Sequence, residues 1–256
     1  MEKKAYFLSD THLGAAYFPD SRERELRVVR FLDSIKDSAA EIYLLGDVLD
    51  YWYEYRYVVP RGYTRFFGKL AELSDSGVKI TWLIGNHDIW IFDYIPTELG
   101  VRVVDGTLVT DVLGTTMLMA HGDGVWQHNT KFRILRSLFR NRLCQHLFAA
   151  IHPRWTVAFA NAWSRHSRSS ATSLTGEALQ RHDAVVDRNI DRLLQFSADY
   201  CASHPECRFC LFGHIHRTTD LPLPSGARMI ILGDWLTAFT YAEFDGTDMT
   251  LKKFNG

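Results

Sequence analysis

The sequence predicts an α/β fold, and three observations carry that expectation. Five short apolar, β-branched runs, at residues 5–8, 42–45, 78–84, 117–120 and 209–212, read as buried strands. Between several of them lie stretches whose apolar residues recur at helical spacing. Each run is followed at once by a cluster of histidine, carboxylate or carboxamide groups, which places the clusters on loops at one rim of a sheet, where α/β enzymes carry their chemistry.

Taken in order, the first strand leads into Asp10-Thr11-His12. A helix follows, with Asp20 or Ser21 as its cap, Glu23 and Glu25 in the first turn, and Val28, Leu32 and Ile35 on one apolar face. The second strand ends in Gly46-Asp47, and a helix over 64–75 is stopped by Gly77. The third ends in Gly85-Asn86-His87-Asp88 and the fourth in His121-Gly122-Asp123. A long helix runs from beyond Gly176 toward Tyr200 with Leu179, Val186, Ile190, Leu193 and Leu194 as its buried stripe, and the fifth strand then reaches Gly213-His214-Ile215-His216. Residues 229–232, 241–244 and 249–254, with a turn at Gly246, read as a closing strand and hairpin.

Composition points to one enzyme domain over residues 1–256. A chain of this length that is 46% hydrophobic and 13% aromatic excludes disordered and collagenous classes. Residues 1–4 lead directly into the first strand, and no 18-residue apolar span occurs, so a cytoplasmic protein is expected. The cysteines, Cys144, Cys201, Cys207 and Cys210, show no paired zinc-ribbon spacing, and Cys207-x-x-Cys210 at a strand entrance reads as structural burial.

A lone D-x-H or G-D pair is common by chance; five clusters, each after a predicted strand, are not. Carboxylate and neutral imidazole suit borderline divalent ions, and the absence of cysteine from the clusters argues against a closed structural zinc site. Asp47 stands alone at its strand end and is the best candidate to bridge two ions. His214 and His216, two residues apart, reach different ions more easily than one from a tight loop opened by Gly213.

The order D-x-H, G-D, G-N-H-D, H-G-D and G-H-x-H, between residues 10 and 216, resembles that of the calcineurin-like metallophosphoesterases. The resemblance implies a sandwich of two β-sheets flanked by helices. It also implies one ion at Asp10, His12, Asp47 and His216, and a second at Asp47, Asn86, His121 and His214. His87 would stabilise the transition state or protonate the leaving oxygen, with Asp88 orienting it.

Residues 124–176 break the pattern. They hold eight cations and no acid in a chain with 29 cations, 30 acids and a net charge of −1. Phe132, Leu135, Leu138 and Phe139 recur there at helical spacing. A basic amphipathic insert beside a phosphoryl-cleaving centre suggests a substrate with both phosphate and an apolar part, or a membrane surface. Nucleic acid would explain the cations but not the bulky apolar groups. The alternative is a helical hairpin with a packed apolar face and solvated arginines.

This layout is similar to the UDP-2,3-diacylglucosamine pyrophosphatases of lipid A synthesis, which carry a helical lid at this point and an L-G-x-W strand end, here Leu232-Gly233-Asp234-Trp235. The resemblance implies hydrolysis to UMP and a diacylglucosamine 1-phosphate, usually with manganese, iron and zinc accepting the same donors. It further implies a phosphorylated glycolipid partner and a peripheral position on the inner membrane. Ser164 falls in the lid's serine-rich contact segment with Arg165 and Arg168 beside it, and Asn129 stands where an acid is expected. The best-known branch of that subfamily reads G-N-R-D, whereas this chain has His87. Since histidine can act as an acid near neutrality and arginine cannot, a soluble phosphodiesterase for nucleotides or small esters remains an alternative. A non-catalytic scaffold is a further one, although the seven ligand positions are intact.

Overall fold

The structure, a computed structural model, describes residues 3–124, 134, 137–159, 162 and 177–256. Its first sheet is built from β1 (Lys4–Leu8), β2 (Ala39–Leu44), β3 (Lys79–Leu83), β4 (Arg102–Val104), β10 (Thr240–Phe244) and β11 (Met249–Lys253), in the order β11-β10-β1-β2-β3-β4. Strands β1 to β4 are parallel, and the β10–β11 hairpin closes the β1 edge in antiparallel fashion. The second sheet joins β5 (Leu108–Val112), β6 (Thr115–Ala120), β7 (Cys207–Phe212), β9 (Arg228–Ile231) and β8 (Thr219–Pro222) in that order, with β6, β7 and β9 parallel.

Strand alternation explains why two sheets pack face to face. On β1, Ala5 and Phe7 enter the core between the sheets, where Met117, Met119, Phe209, Leu211 and Ile230 meet them from the other side. Tyr6 and Leu8 face the opposite way, onto a second core containing Val28, Phe31 and Leu32 of α1 (Ser21–Ile35) and Phe66 and Leu70 of α2 (Thr64–Asp75). The outer face of the second sheet, with Leu118, Cys210, Phe212 and Met229, packs against Leu193 and Cys201 of a long helix, α5 (Glu177–Ser203). Residues buried on both faces make the strands read as unbroken apolar runs.

The elements depart from expectation where they are short or half-exposed. Strands β4, β5 and β8 and the six-residue helix α3 (Tyr94–Leu99) were not anticipated, because three to six partly exposed residues hold too little of either period to be seen. Asp20 is at the N-cap of α1, but its side chain makes no capping bond and instead accepts from Arg24 Nε at 3.0 Å. Glu25 does not act on its own helix either. It is buried, and its Oε1 accepts from the backbone N–H of Arg65 (2.9 Å) and Phe66 (3.2 Å), capping α2 from outside.

The buried stripe of α5 is shorter than expected. Residues 180–185 are exposed, Val186 and Ile190 are half-buried, and full burial begins at Leu193 and continues through Ser197 and Cys201. The expected Leu179 contact lies outside the described side chains. From the basic insert, α4 (Arg142–Ala149) and a helical stretch over 153–159 are described.

Candidate metal centre

Five strand ends deliver the polar clusters to one rim. Asp10 and His12 follow β1, Asp47 follows β2, Asn86 and His87 follow β3, His121 follows β6, and His214 and His216 follow β7. Asp10, His12, Asp47, His214 and His216 all have positive φ, between 42° and 68°. L-residues adopt that region reluctantly, and strain of this kind persists where surrounding structure holds it. Two such residues in one short loop allow His214 and His216 to join different groups. Gly85 serves by having no side chain, since a Cβ there would collide with the Asp47 carboxylate.

Two groups of donors share no residue with each other. One carboxylate oxygen of Asp10 and one ring nitrogen each of His12 and His216 lie within 4.8 Å of one another, and Asp47, His121 and His214 form a second such set; His12, Asp47 and His87 make a third that overlaps both. Asp10 Oδ1 is 3.4 Å from His216 Nε2 and 3.8 Å from His12 Nε2. Asp47 Oδ2 stands between the groups, 3.7 Å from His12 Nε2 and 3.3 Å from His121 Nε2. Asn86 Oδ1 lies 3.2 Å from His121 Nε2. Donors bonded at about 2.0–2.2 Å to one ion would themselves be about 3 Å apart, so this spacing needs little closure to grip a cation.

Groups behind the donors aim them. His12 Nδ1 pairs with Asp50 Oδ1 at 3.1 Å and His121 Nδ1 with the Leu45 carbonyl at 2.8 Å, which turns each Nε2 into the site. Asp47 Oδ1 accepts the His87 N–H at 2.8 Å, leaving Oδ2 to face both groups. Asp10 Oδ2 accepts from the His214 N–H at 2.9 Å and from the Ser9 hydroxyl. Asp10 Oδ1, by contrast, is buried without a hydrogen-bond donor. A buried carboxylate oxygen facing two imidazole nitrogens fits a cation ligand.

The electrostatics agree. Burial alone would raise the Asp47 carboxyl, yet the adjoining His121 and His87 rings outweigh it and hold it well below the usual range. Burial likewise opposes charge on His12, but the facing Asp10 and Asp50 carboxylates raise it to about 9. The site therefore calls for positive charge, which a divalent ion supplies in place of imidazole protons. Burial, then the neighbouring His121, lowers His214 to about 4, which keeps that ring in the neutral form that ligates metal.

His87 is half-buried, with its ring 4.7 Å from that of His12, and its Nδ1 donates to the Asp50 carbonyl at 2.9 Å. The expectation that Asp88 orients it is corrected. Asp88 Oδ2 accepts from Val48 N–H (2.9 Å) and Trp82 Nε1 (3.1 Å), and Oδ1 accepts from Gly85 N–H (2.7 Å). Asp88 thus braces the ligand loops from below, and Asp50 holds the ring. Sequence reading missed Asp50 and also Asp234, whose Oδ2 is 3.4 Å from His216 Nδ1. The signals were an acid three residues after Asp47 and the third residue of Leu232-Gly233-Asp234-Trp235.

Two recesses adjoin the insert. A cavity of about 890 Å³ begins at Leu13 and Gly14, immediately after His12, and is lined by Arg22, Arg61 and Arg154. A second of about 280 Å³ is apolar, formed by Trp90 with Leu138, Phe139, Leu147, Phe148 and Ile151. The insert is tied to the core there: Trp90 Nε1 donates to the Phe139 carbonyl (2.9 Å), and Tyr53 Oη to that of Gln145 (2.6 Å). Of the expected substrate contacts, Asn129, Ser164, Arg165 and Arg168 lie outside the described residues.

Residues 3–218 match the family model of the calcineurin-like phosphoesterases. The chain belongs to that family of metal-dependent phosphoester hydrolases, and divalent ions are its cofactors. Over 256 aligned residues, covering 98% of each chain, it is 41% identical to the UDP-2,3-diacylglucosamine hydrolase of Porphyromonas gingivalis. The enzyme of the same name from Neisseria meningitidis serogroup B is 27% identical across 91% of this chain and 90% of its own. That from a Shewanella species is 23% identical across 98% and 99%.

Proposed function

We propose that this hydrolase cleaves UDP-2,3-diacylglucosamine into UMP and 2,3-diacylglucosamine 1-phosphate. The observation that carries the reading is 41% identity in an alignment that covers 98% of both chains. In this reading Asp10, His12, Asp47 and His216 hold one ion, and Asp47, Asn86, His121 and His214 the other. Two ions, Mn²⁺ in preference to Fe²⁺ or Zn²⁺, would supply positive charge to a phosphoryl group bound there. With Nδ1 engaged by Asp50, His87 has Nε2 left to bind a phosphoryl oxygen or give a proton to the departing one.

The chain acts as one domain, and residues 124–176 act as a lid over the substrate. The arginine-lined cavity next to His12 suits phosphate, and the apolar recess beside Trp90 suits an acyl chain. Asn129, Ser164, Arg165 and Arg168 complete the headgroup contacts. No helix among the described residues is long and apolar enough to cross a membrane. Leu143, Leu147, Ile151, Trp155 and Phe159 nevertheless stand exposed on the insert, which supports peripheral attachment to the inner membrane surface from the cytoplasmic side.

The test is turnover of the Mn-loaded protein on UDP-2,3-diacylglucosamine beside bis(p-nitrophenyl) phosphate and common nucleotides. A preference of 100-fold or so in kcat/KM for the lipid is expected. Replacing Arg165 and Arg168 by Ala should raise KM for the lipid and leave the small diester nearly untouched. Comparable rates on all substrates would instead favour a soluble phosphodiesterase of small esters, and equal losses on both substrates would remove the lid from the account.

A further inference from the structure

Away from the metal rim, three of the four cysteines meet. Cys201 comes from the last turns of α5, Cys207 opens β7, and Cys210 points from β7 to the same outer face of the second sheet. All three are buried, at 2% exposure or less. Their sulfurs lie within 4.8 Å of one another, with Cys201 and Cys210 at 3.5 Å. Three sulfurs bonded at about 2.3 Å around a single ion are separated by about 4 Å, so the native spacing already approximates such a site. The surroundings are apolar: Leu118, Leu193, Phe212 and Met229 pack in the same core.

We propose that Cys201, Cys207 and Cys210 bind one thiophilic d¹⁰ cation, of the Zn²⁺ or Cu⁺ class, at a site separate from the phosphoesterase centre. Burial without carboxylate or imidazole in the group selects a soft ion of low coordination number over Mn²⁺. The thiols are arranged for it. Hydrogen bonds from Cys210 and Cys201 outweigh burial and lower the Cys207 thiol to about 6, while Cys201 is raised by burial to about 11. Cys207 Sγ also lies 3.5 Å from the Phe209 carbonyl, and a cation entering the cluster displaces the thiol protons to solvent. In the turn that joins α5 to β7, Pro205 and Glu206 are exposed and His204 is half-buried, so the cluster lies close below the surface there. Cys210 is four residues before His214, about 13 Å of extended chain, so the two centres share β7 without sharing ligands.

Cadmium added to the Mn-loaded protein under reducing conditions decides the matter. The phosphoesterase donors contain no sulfur, so a thiolate-to-cadmium charge-transfer band reports cysteine alone. One ion per chain is expected, with the intensity of three thiolates, unchanged in Cys144→Ser and reduced at least tenfold in Cys207→Ala. Circular dichroism and turnover of bis(p-nitrophenyl) phosphate check that the variants fold. If Cys207→Ala fails to fold, Cys201→Ala and the wild-type stoichiometry carry the test. Absence of the band, its loss in Cys144→Ser, or only two free thiols in the unreduced denatured chain would each overturn the site.

Discussion

At the residue scale the centre depends on oxygen atoms that are shared rather than duplicated. Asp47 Oδ2 faces His12 and His121 together, so Asp47→Ala should remove both ions and abolish turnover while the fold survives. Metal analysis and circular dichroism of the variant check this, and two retained ions with normal turnover would exclude Asp47 as the bridge. Asp50 is a positioning residue. Its carboxylate aims His12 and its carbonyl aims His87, and only the carboxylate is open to substitution. Asp50→Ala should cost 10- to 100-fold in metal affinity or rate, with partial rescue in Asp50→Asn. His87→Ala should lower kcat by about 10²- to 10⁴-fold with metal content nearly unchanged, a split that separates an acid–base role from ligation.

At the scale of elements, one carboxylate joins two helices. Glu25 is carried on α1, yet its Oε1 accepts two N–H groups at the start of α2, whose own N-cap, Tyr63, has φ 62° and no capping side chain. Glu25→Ala leaves both donors without that partner and should destabilise the protein by about 1–3 kcal/mol. Denaturant unfolding reads the loss as a lower midpoint at unchanged slope. Because Arg22 and Glu25 line the cavity next to His12, the same substitution tests whether α1 and α2 shape that cavity: KM would rise along with the loss of stability. An unchanged midpoint would mean that the α2 donors find other partners.

For the whole molecule, the metal rim is where the two sheets meet. Asp10, His12, Asp47 and Asn86 come from the first sheet, and His121, His214 and His216 from the second. Ions bound here would stabilise the folded state by mass action and link the sheets at one end of their shared core. Adding chelator should therefore lower Tm, by an amount equivalent to about 2.7 kcal/mol for an ion present at 100 times its Kd. The shift should be absent in Asp47→Ala. A chelator-insensitive Tm in the wild-type protein would show that the rim is held by protein contacts alone.

The five buried strands, α1, α2 and the rim clusters were legible in the sequence because each carries a strong local signal. Runs such as residues 42–45 or 209–212 are apolar on both faces, and the chain changes from apolar to polar where each strand ends. What local pattern cannot hold is pairing in space. That Glu25 caps a different helix, that Asp50 rather than Asp88 holds His87, and that Cys201 meets Cys207 and Cys210 across the α5–β7 turn follow from how helices pack on sheets. The exposed first half of α5 makes the same point: its apolar period continues beyond the sheet that would bury it. Periodicity records which face a helix can bury, whereas the extent of burial is set by the neighbour it meets, and only the tertiary structure supplies that neighbour.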